Sequence, residues 1–211
     1  MISLFIIEHM EPVLSRWMWI EYKHASRIVG KESLWITNVK DREERRILED
    51  IAARVFEESV SEINIPSKKV IVLDPSASVT LKPGDFGESV SVVVGGIMGD
   101  YPPQGRTRKL TSKLINAEAR TLGPYQFPID SAIYVALEVS KGRRLDEIPI
   151  IDKLEVKVSE GHTILLPYAY PIVDGKPLIS DEEIEYLKKD VEDDEARAIR
   201  EGRVRSVSEE R

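Results

Sequence analysis

The chain has 211 residues, 42% of them hydrophobic, enough to bury a core of one ordinary domain with or without an appendage. It has no cysteine and only three histidines (His9, His24, His162), which removes disulfides, thiolate nucleophiles and a multi-histidine metal site. The net charge of −7 argues against a protein that grips nucleic acid through its overall field.

Residues 3–7 read as a short apolar strand running into Glu8-His-Met-Glu11 and Pro12. Pro12 suits the first turn of a helix, and Val13, Leu14, Trp17, Met18 and Ala25 recur at helical spacing up to a stop at Gly30. Residues 34–36 form a second strand. Asp41 with Glu44 has the form of a capping box, followed by an apolar helix face of Ile47, Leu48, Ile51, Ala52, Val55 and Phe56. Residues 70–73 make a third strand that stops at Asp74-Pro75, and residues 90–94 a fourth that ends at Gly95-Gly96. A helix is expected over residues 107–115, a short strand over 119–122, and a helix over 131–141 capped by Asp130. This alternation predicts an α/β fold with a largely parallel sheet.

The pattern changes after Pro149. Residues 154–158 alternate strictly and residues 163–167 follow the Glu160-Gly161 turn, which predicts a hairpin or edge strands. From residue 181 the chain reads as a charged amphipathic helix fading into a mobile end, with 12 acids and 7 bases and therefore −5 of the total charge. The expected division is an α/β domain over 1–150, a β-rich extension over 151–180 and an acidic helical tail over 181–211. No apolar run approaches the roughly 20 residues of a membrane helix. Residues 1–8 lack the basic region of a secretory signal, so a cytoplasmic protein with no membrane partner is expected.

Two loops carry the functional signal. Gly95-Gly-Ile-Met-Gly-Asp-Tyr-Pro-Pro103 and Leu122-Gly-Pro-Tyr-Gln-Phe-Pro-Ile-Asp130 each follow an apolar strand and are too rich in Gly and Pro to continue it. Either loop alone reads as a turn; together they suggest a shared crevice beyond the carboxyl ends of the strands. The first is neither a phosphate loop, for want of a following Lys-Ser or Lys-Thr, nor a dinucleotide fingerprint, because prolines intervene. Backbone groups with one carboxylate, Asp100, suit a ligand that offers donors and a cation, as S-adenosylmethionine does.

The combination of Ile7-Glu-His-Met-Glu11, Leu73-Asp-Pro75, the double-proline glycine loop with Arg106-Thr107, and Leu122-Gly123 with Asp130-Ser-Ala132 resembles the SPOUT methyltransferases. More narrowly, it resembles the branch that includes the fungal SPOUT protein arginine methyltransferase and archaeal relatives described as RNA methyltransferases. The likeness runs from about residue 2 to about residue 178. It implies a C-terminal trefoil knot whose loops hold S-adenosylmethionine. Carried over by motif, the cofactor contacts are Leu73, Gly95, Gly96, Ile97, Gly99, Asp100, Leu122, Gly123, Ile129, Ser131 and Ala132. Ribose-methylating members carry an arginine and a glutamate before the last alanine; here the run is Phe127-Pro-Ile-Asp130, which speaks against ribose methylation.

Methyl transfer to an arginine needs a carboxylate to orient the guanidinium and accept a proton. Glu8 is the first candidate, with Asp100 and Asp130 as companions; the plain alternatives are a helix-start acid for Glu8 and an N-cap for Asp130. His9 is either a base or substrate contact or a structural hydrogen-bonder. Arg106 either meets the substrate or the cofactor carboxylate, or is a solvated loop charge. Trp17, Trp19 and Trp35 read as packing. The expectation is therefore an S-adenosylmethionine-dependent protein arginine methyltransferase with a basic ribosomal protein as substrate, acting as monomer or homodimer. RNA methylation, with Arg106, Arg108, Lys109 and Lys113 as the basic cluster, ranks second, and a non-catalytic ribosome-assembly factor third.

Overall fold

The computed structural model describes residues 2–98, 106–114 and 116–209. Strands β1 (Ile2–His9), β2 (Leu34–Thr37), β3 (Arg54–Val55), β4 (Lys69–Leu73), β5 (Val90–Gly96) and β6 (Ala117–Arg120) form one parallel sheet in the order β3-β2-β1-β5-β4-β6. A parallel sheet is covered on both faces, so its inner strands β1, β4 and β5 are largely apolar runs rather than alternating ones. Phe5, Ile7, Ile36, Ile71, Val92 and Val94 enter a core shared with helices α1 (Arg16–Val29), α2 (Arg42–Leu48) and α4 (Ile129–Ser140). Leu4, Ile6, Trp35, Val72 and Val93 enter a second core on the other face, closed by Val60 and by Leu110 of α3 (Thr107–Lys113).

A third apolar cluster joins the outer side of α1 to the C-terminal third of the chain. Strands β7 (Ile150–Ser159) and β8 (His162–Val173) form the expected antiparallel hairpin, longer than its alternating segment, with the two-residue β9 (Lys176–Pro177) beside β8. Val156, Leu166 and Tyr170 of the hairpin meet Ile20 of α1, Tyr186 and Leu187 of α5 (Asp181–Lys189) and Val191 of α6 (Val191–Glu201).

Several elements differ from the sequence expectation. Helix α1 begins at Arg16, not Pro12, because Ser15 is the better cap: its Oγ accepts from the Met18 N–H at 3.3 Å. The Asp41 cap forms, with Oδ1 accepting from the N–H groups of Glu43 and Glu44, but the return half of the capping box does not. Glu44 instead turns inward, where Oε1 accepts from the Leu14 N–H at 2.8 Å and from Ser206 Oγ at 2.6 Å. Helix α2 ends at Leu48, since the backbone of residues 53–56 finds partners on β2: Ala53 N donates to Leu34 O and Phe56 N to Ile36 O. Strand β5 does end at the glycine pair, Gly95 and Gly96 being its last two residues. Asp130 does not cap α4; the helix starts at Ile129 after Pro128, and Asp130 lies in its first turn.

The C-terminal end is not a loose extension. Val207 is buried in the main core, and its N–H donates to the Leu14 carbonyl at 2.9 Å. The trefoil knot implied by the resemblance would involve the path between β5 and α4, of which residues 99–105 and 115 lie outside the described residues.

Candidate active site

A cavity of about 440 Å³ opens beyond the carboxyl ends of β4, β5 and β6, where an open α/β sheet receives ligands. Leu73, Val94, Ile97, Leu122, Ile129 and Ala132 give it apolar walls. Asp74, Arg106, Thr107 and the loop 121–127 add polar groups and two aromatic rings, Tyr125 and Phe127, set edge to face with centroids 5.9 Å apart. The loop is held from both sides. Gln126 O accepts from the Ala169 N–H of β8 at 2.7 Å, and Glu21 Oε2 of α1 accepts from the Ile129 N–H at 3.1 Å, satisfying one of the open donors at the start of α4. Gly123 has φ +97°, a left-handed conformation open to glycine and strained for other residues. At the other wall, Asp74 Oδ1 accepts from Ser76 N and Ser76 Oγ, fixing the turn at Pro75.

Of the cofactor contacts expected from the motifs, Leu73, Gly95, Ile97, Leu122, Gly123, Ile129 and Ala132 line this cavity. Gly99 and Asp100 lie outside the described residues. Ser131 is fully buried in α4, and its Oγ has no hydrogen-bond partner among the described residues. Gly96 has a packing reason for lacking a side chain: a Cβ there would lie 2.0 Å from the Tyr22 hydroxyl oxygen.

The two candidates at the end of β1 point into opposite cores. Glu8 Oε1 accepts from Ser59 Oγ at 2.6 Å, and Oε2 from Thr37 Oγ1 at 2.5 Å and the Val60 N–H at 2.9 Å. Both oxygens are engaged, and Thr37, Ser59 and Val60 are not lining residues of the cavity. His9 is buried with Nδ1 3.1 Å from the Tyr22 hydroxyl, and Nε2 has no hydrogen-bond partner among the described residues. Burial pushes its pKa down to about 4, so the ring is neutral at physiological pH.

Glu11 lies next to the cavity and is the carboxylate that motif reading passed over. Its Oε1 accepts from the Met98 N–H at 2.9 Å and from Arg106 Nη1 at 2.8 Å, and Arg106 Nη2 donates to Met98 O at 2.7 Å. The signal was its place in the Ile7–Glu11 motif, but nothing local distinguishes it from Glu8.

Asp130 belongs to a buried acidic cluster between α1, α4 and α5. It is fully buried, with Oδ2 2.6 Å from His24 Nδ1. Glu183 Oε1 accepts from Trp17 Nε1 at 3.3 Å. Burial, then the charge of Asp130, raises the Glu183 pKa to about 8; burial, then Asp130 and Glu183, raises that of Glu21 well above the usual range. Carboxyls that hold their protons more tightly folded than unfolded stabilise the fold below the unfolded value of 4.5, and this contribution is lost as pH rises towards about 8. Glu183→Gln keeps an oxygen for Trp17 without the charge. It is expected to be near neutral at pH 5 and to stabilise by on the order of 2 kcal/mol at pH 8. Thermal melts at the two pH values check this; equal shifts at both would contradict a Glu183 carboxyl that holds its proton more tightly folded than unfolded.

The family model described as "Protein arginine N-methyltransferase SFM1-like" matches residues 4–194. The chain is 32% identical to the protein arginine N-methyltransferase SFM1 of Saccharomyces cerevisiae, over 88% of this chain and 94% of that one. It superposes with a TM-score of 0.80 and 30% identity on the crystal structure of the yeast arginine methyltransferase SFM1 complexed with SAM, covering 90% of this chain and 92% of that one. A dual-specific Trm10 from Thermococcus kodakaraensis shares the fold at a TM-score of 0.54 and 20% identity, over 69% of this chain and 96% of that one. The chain belongs to the SFM1-like family of protein arginine N-methyltransferases.

Proposed function

We propose that this protein is an S-adenosylmethionine-dependent methyltransferase that modifies an arginine of a protein, and that its target is a basic ribosomal protein. The observation that carries the reading is the cavity beyond β4, β5 and β6. Its volume of about 440 Å³ lies in the range of small-molecule sites. Its mixture of apolar walls, backbone groups and a few charged side chains suits a ligand with a flat apolar ring and polar ends. When bound, S-adenosylmethionine supplies a methyl group on a sulfonium and departs as a neutral thioether.

The chain's own residues do the rest. Leu73, Ile97, Leu122, Ile129 and Ala132 would enclose the ligand's apolar ring and exclude water, while Gly95 and Gly123 would let it approach the backbone. Asp74 and Thr107 add polar partners. The neutral His9 and the three-fold bonded Glu8 support the end of β1. The acidic balance of −7 favours encounter with a basic polypeptide. No helix among the described residues is long and apolar enough to cross a membrane.

The test is transfer from radiolabelled S-adenosylmethionine into cognate ribosomes, with products split into protein and RNA. Label is expected in one ribosomal protein, on an arginine identified by mass spectrometry. Label in RNA instead would overturn the reading and make Arg108 and Lys113, both exposed on α3 beside the cavity, the substrate face.

A further inference from the structure

We propose that Glu11 is the carboxylate that receives the substrate arginine, and that Arg106 occupies that arginine's place until it arrives. This rests on the arginine-methylating reading above. Arg106 lines the cavity, and among the described residues its guanidinium meets Glu11 Oε1 at 2.8 Å through Nη1 and the Met98 carbonyl at 2.7 Å through Nη2. The site is thus already built to hold a planar fork of N–H donors at the wall of the cofactor cavity.

Glu11 has an anchor of its own. Its Oε1 also accepts from the Met98 N–H at 2.9 Å, which ties the exit of β1 to the exit of β5 whether or not Arg106 is in place. The side chain is 17% exposed, so an incoming donor can reach the carboxylate. Glu8, by contrast, has both oxygens engaged, and Asp130 is bound to His24 and fully buried.

The exchange is of like for like. An entering guanidinium replaces a leaving one, so the partly buried carboxylate is never left uncompensated, a situation that is costly when a partner is simply removed. The substrate nitrogen gains a methyl and gives up one proton while the product guanidinium stays cationic. Glu11 accepts that proton and becomes neutral, which balances the loss of the sulfonium charge.

The test uses the full chain and a fluorescent peptide carrying the arginine found in the labelling experiment. It reads peptide binding without turnover, steady-state kinetics, and calorimetric affinity for S-adenosylhomocysteine. Arg106→Ala removes the internal competitor and is expected to tighten peptide binding and lower KM about fivefold. Glu11→Gln keeps an oxygen for the Met98 N–H and is expected to lower kcat about 100-fold. Both variants should hold S-adenosylhomocysteine within about twofold of the parent, which also reports an intact fold. Weaker peptide or S-adenosylhomocysteine binding by Arg106→Ala would make Arg106 a ligand-holding residue and overturn the proposal; so would an undiminished kcat in Glu11→Gln. An unmodified enzyme that labels no protein arginine would bring down the functional reading, and this proposal with it, before any variant is made.

Discussion

Gly96→Ala is expected to destabilise the protein by about 3 kcal/mol, at the upper end of overpacking effects. The added Cβ would lie 2.0 Å from the Tyr22 hydroxyl oxygen, 2.9 Å from Ile7 Cγ2 and 3.0 Å from the Glu8 carbonyl oxygen. None of these has room to retreat. Tyr22 and Ile7 are fully buried, and the hydroxyl is bonded to His9 Nδ1 at 3.1 Å. Urea unfolding measures the loss. Adding Tyr22→Phe removes the nearest clash, so the double variant should recover about 1 kcal/mol relative to the additive sum. Ile7 and Glu8 still crowd the new methyl, so recovery is partial. A Gly96→Ala protein with the parental urea midpoint would show that β5 can slide away from α1, and that the glycine is there for another reason.

Ending the chain at Ser180 is expected to leave it unable to fold stably. The removed segment buries Tyr186, Leu187 and Val191 against Ile20, Val156, Leu166 and Tyr170. At about 1.5–3 kcal/mol for each fully buried side chain, those three contribute roughly 5–9 kcal/mol. That is comparable to the whole stability of a typical domain, about 5–15 kcal/mol. The truncation also deletes Val207 from the main core, the Ser206 partner of Glu44 and the Glu183 partner of Trp17. Soluble yield and a thermal melt check this; a truncated chain that melts cooperatively at the parental temperature would mean that the tail is a guide for substrate rather than part of the fold. A charged, amphipathic C-terminal segment looks detachable in sequence because its apolar residues are sparse. It is not detachable here because the few it has complete a cluster that α1 and the hairpin cannot close without it.

Much of the sheet was legible from residue pattern. Residues 3–7, 70–73 and 90–94 are largely apolar runs long enough for a strand, the last two followed by Asp74-Pro75 and Gly95-Gly96, and all three lie in the parallel sheet. The alternation of residues 154–158 marked a hairpin strand. Seven of the motif-derived cofactor contacts also meet in one cavity, because a loop that must leave a strand at a fixed place carries its Gly and Pro with it. These are local properties, set by propensity, periodicity and turn chemistry within a few residues.

The assignments that failed or stayed open are those where a distant partner decides. Helix α2 stops at Leu48 because β2 offers residues 53–56 better hydrogen bonds than another helical turn. Asp130 reads as a cap, yet His24, brought alongside by the packing of α1 on α4, engages it instead. Glu8 and Glu11 are equivalent acids in one short motif. What separates them is that Ser59, Thr37 and Val60 surround the first, while Met98 and Arg106, 87 and 95 residues further along the chain, meet the second. Residue pattern therefore set the strands, the hairpin and the loops of the cofactor cavity. Which carboxylate stands open beside that cavity, which glycine is reserved for packing, and whether the tail is part of the body were decided by contacts between residues far apart in sequence, since only the folded chain brings their hydrogen-bonding groups and surfaces together.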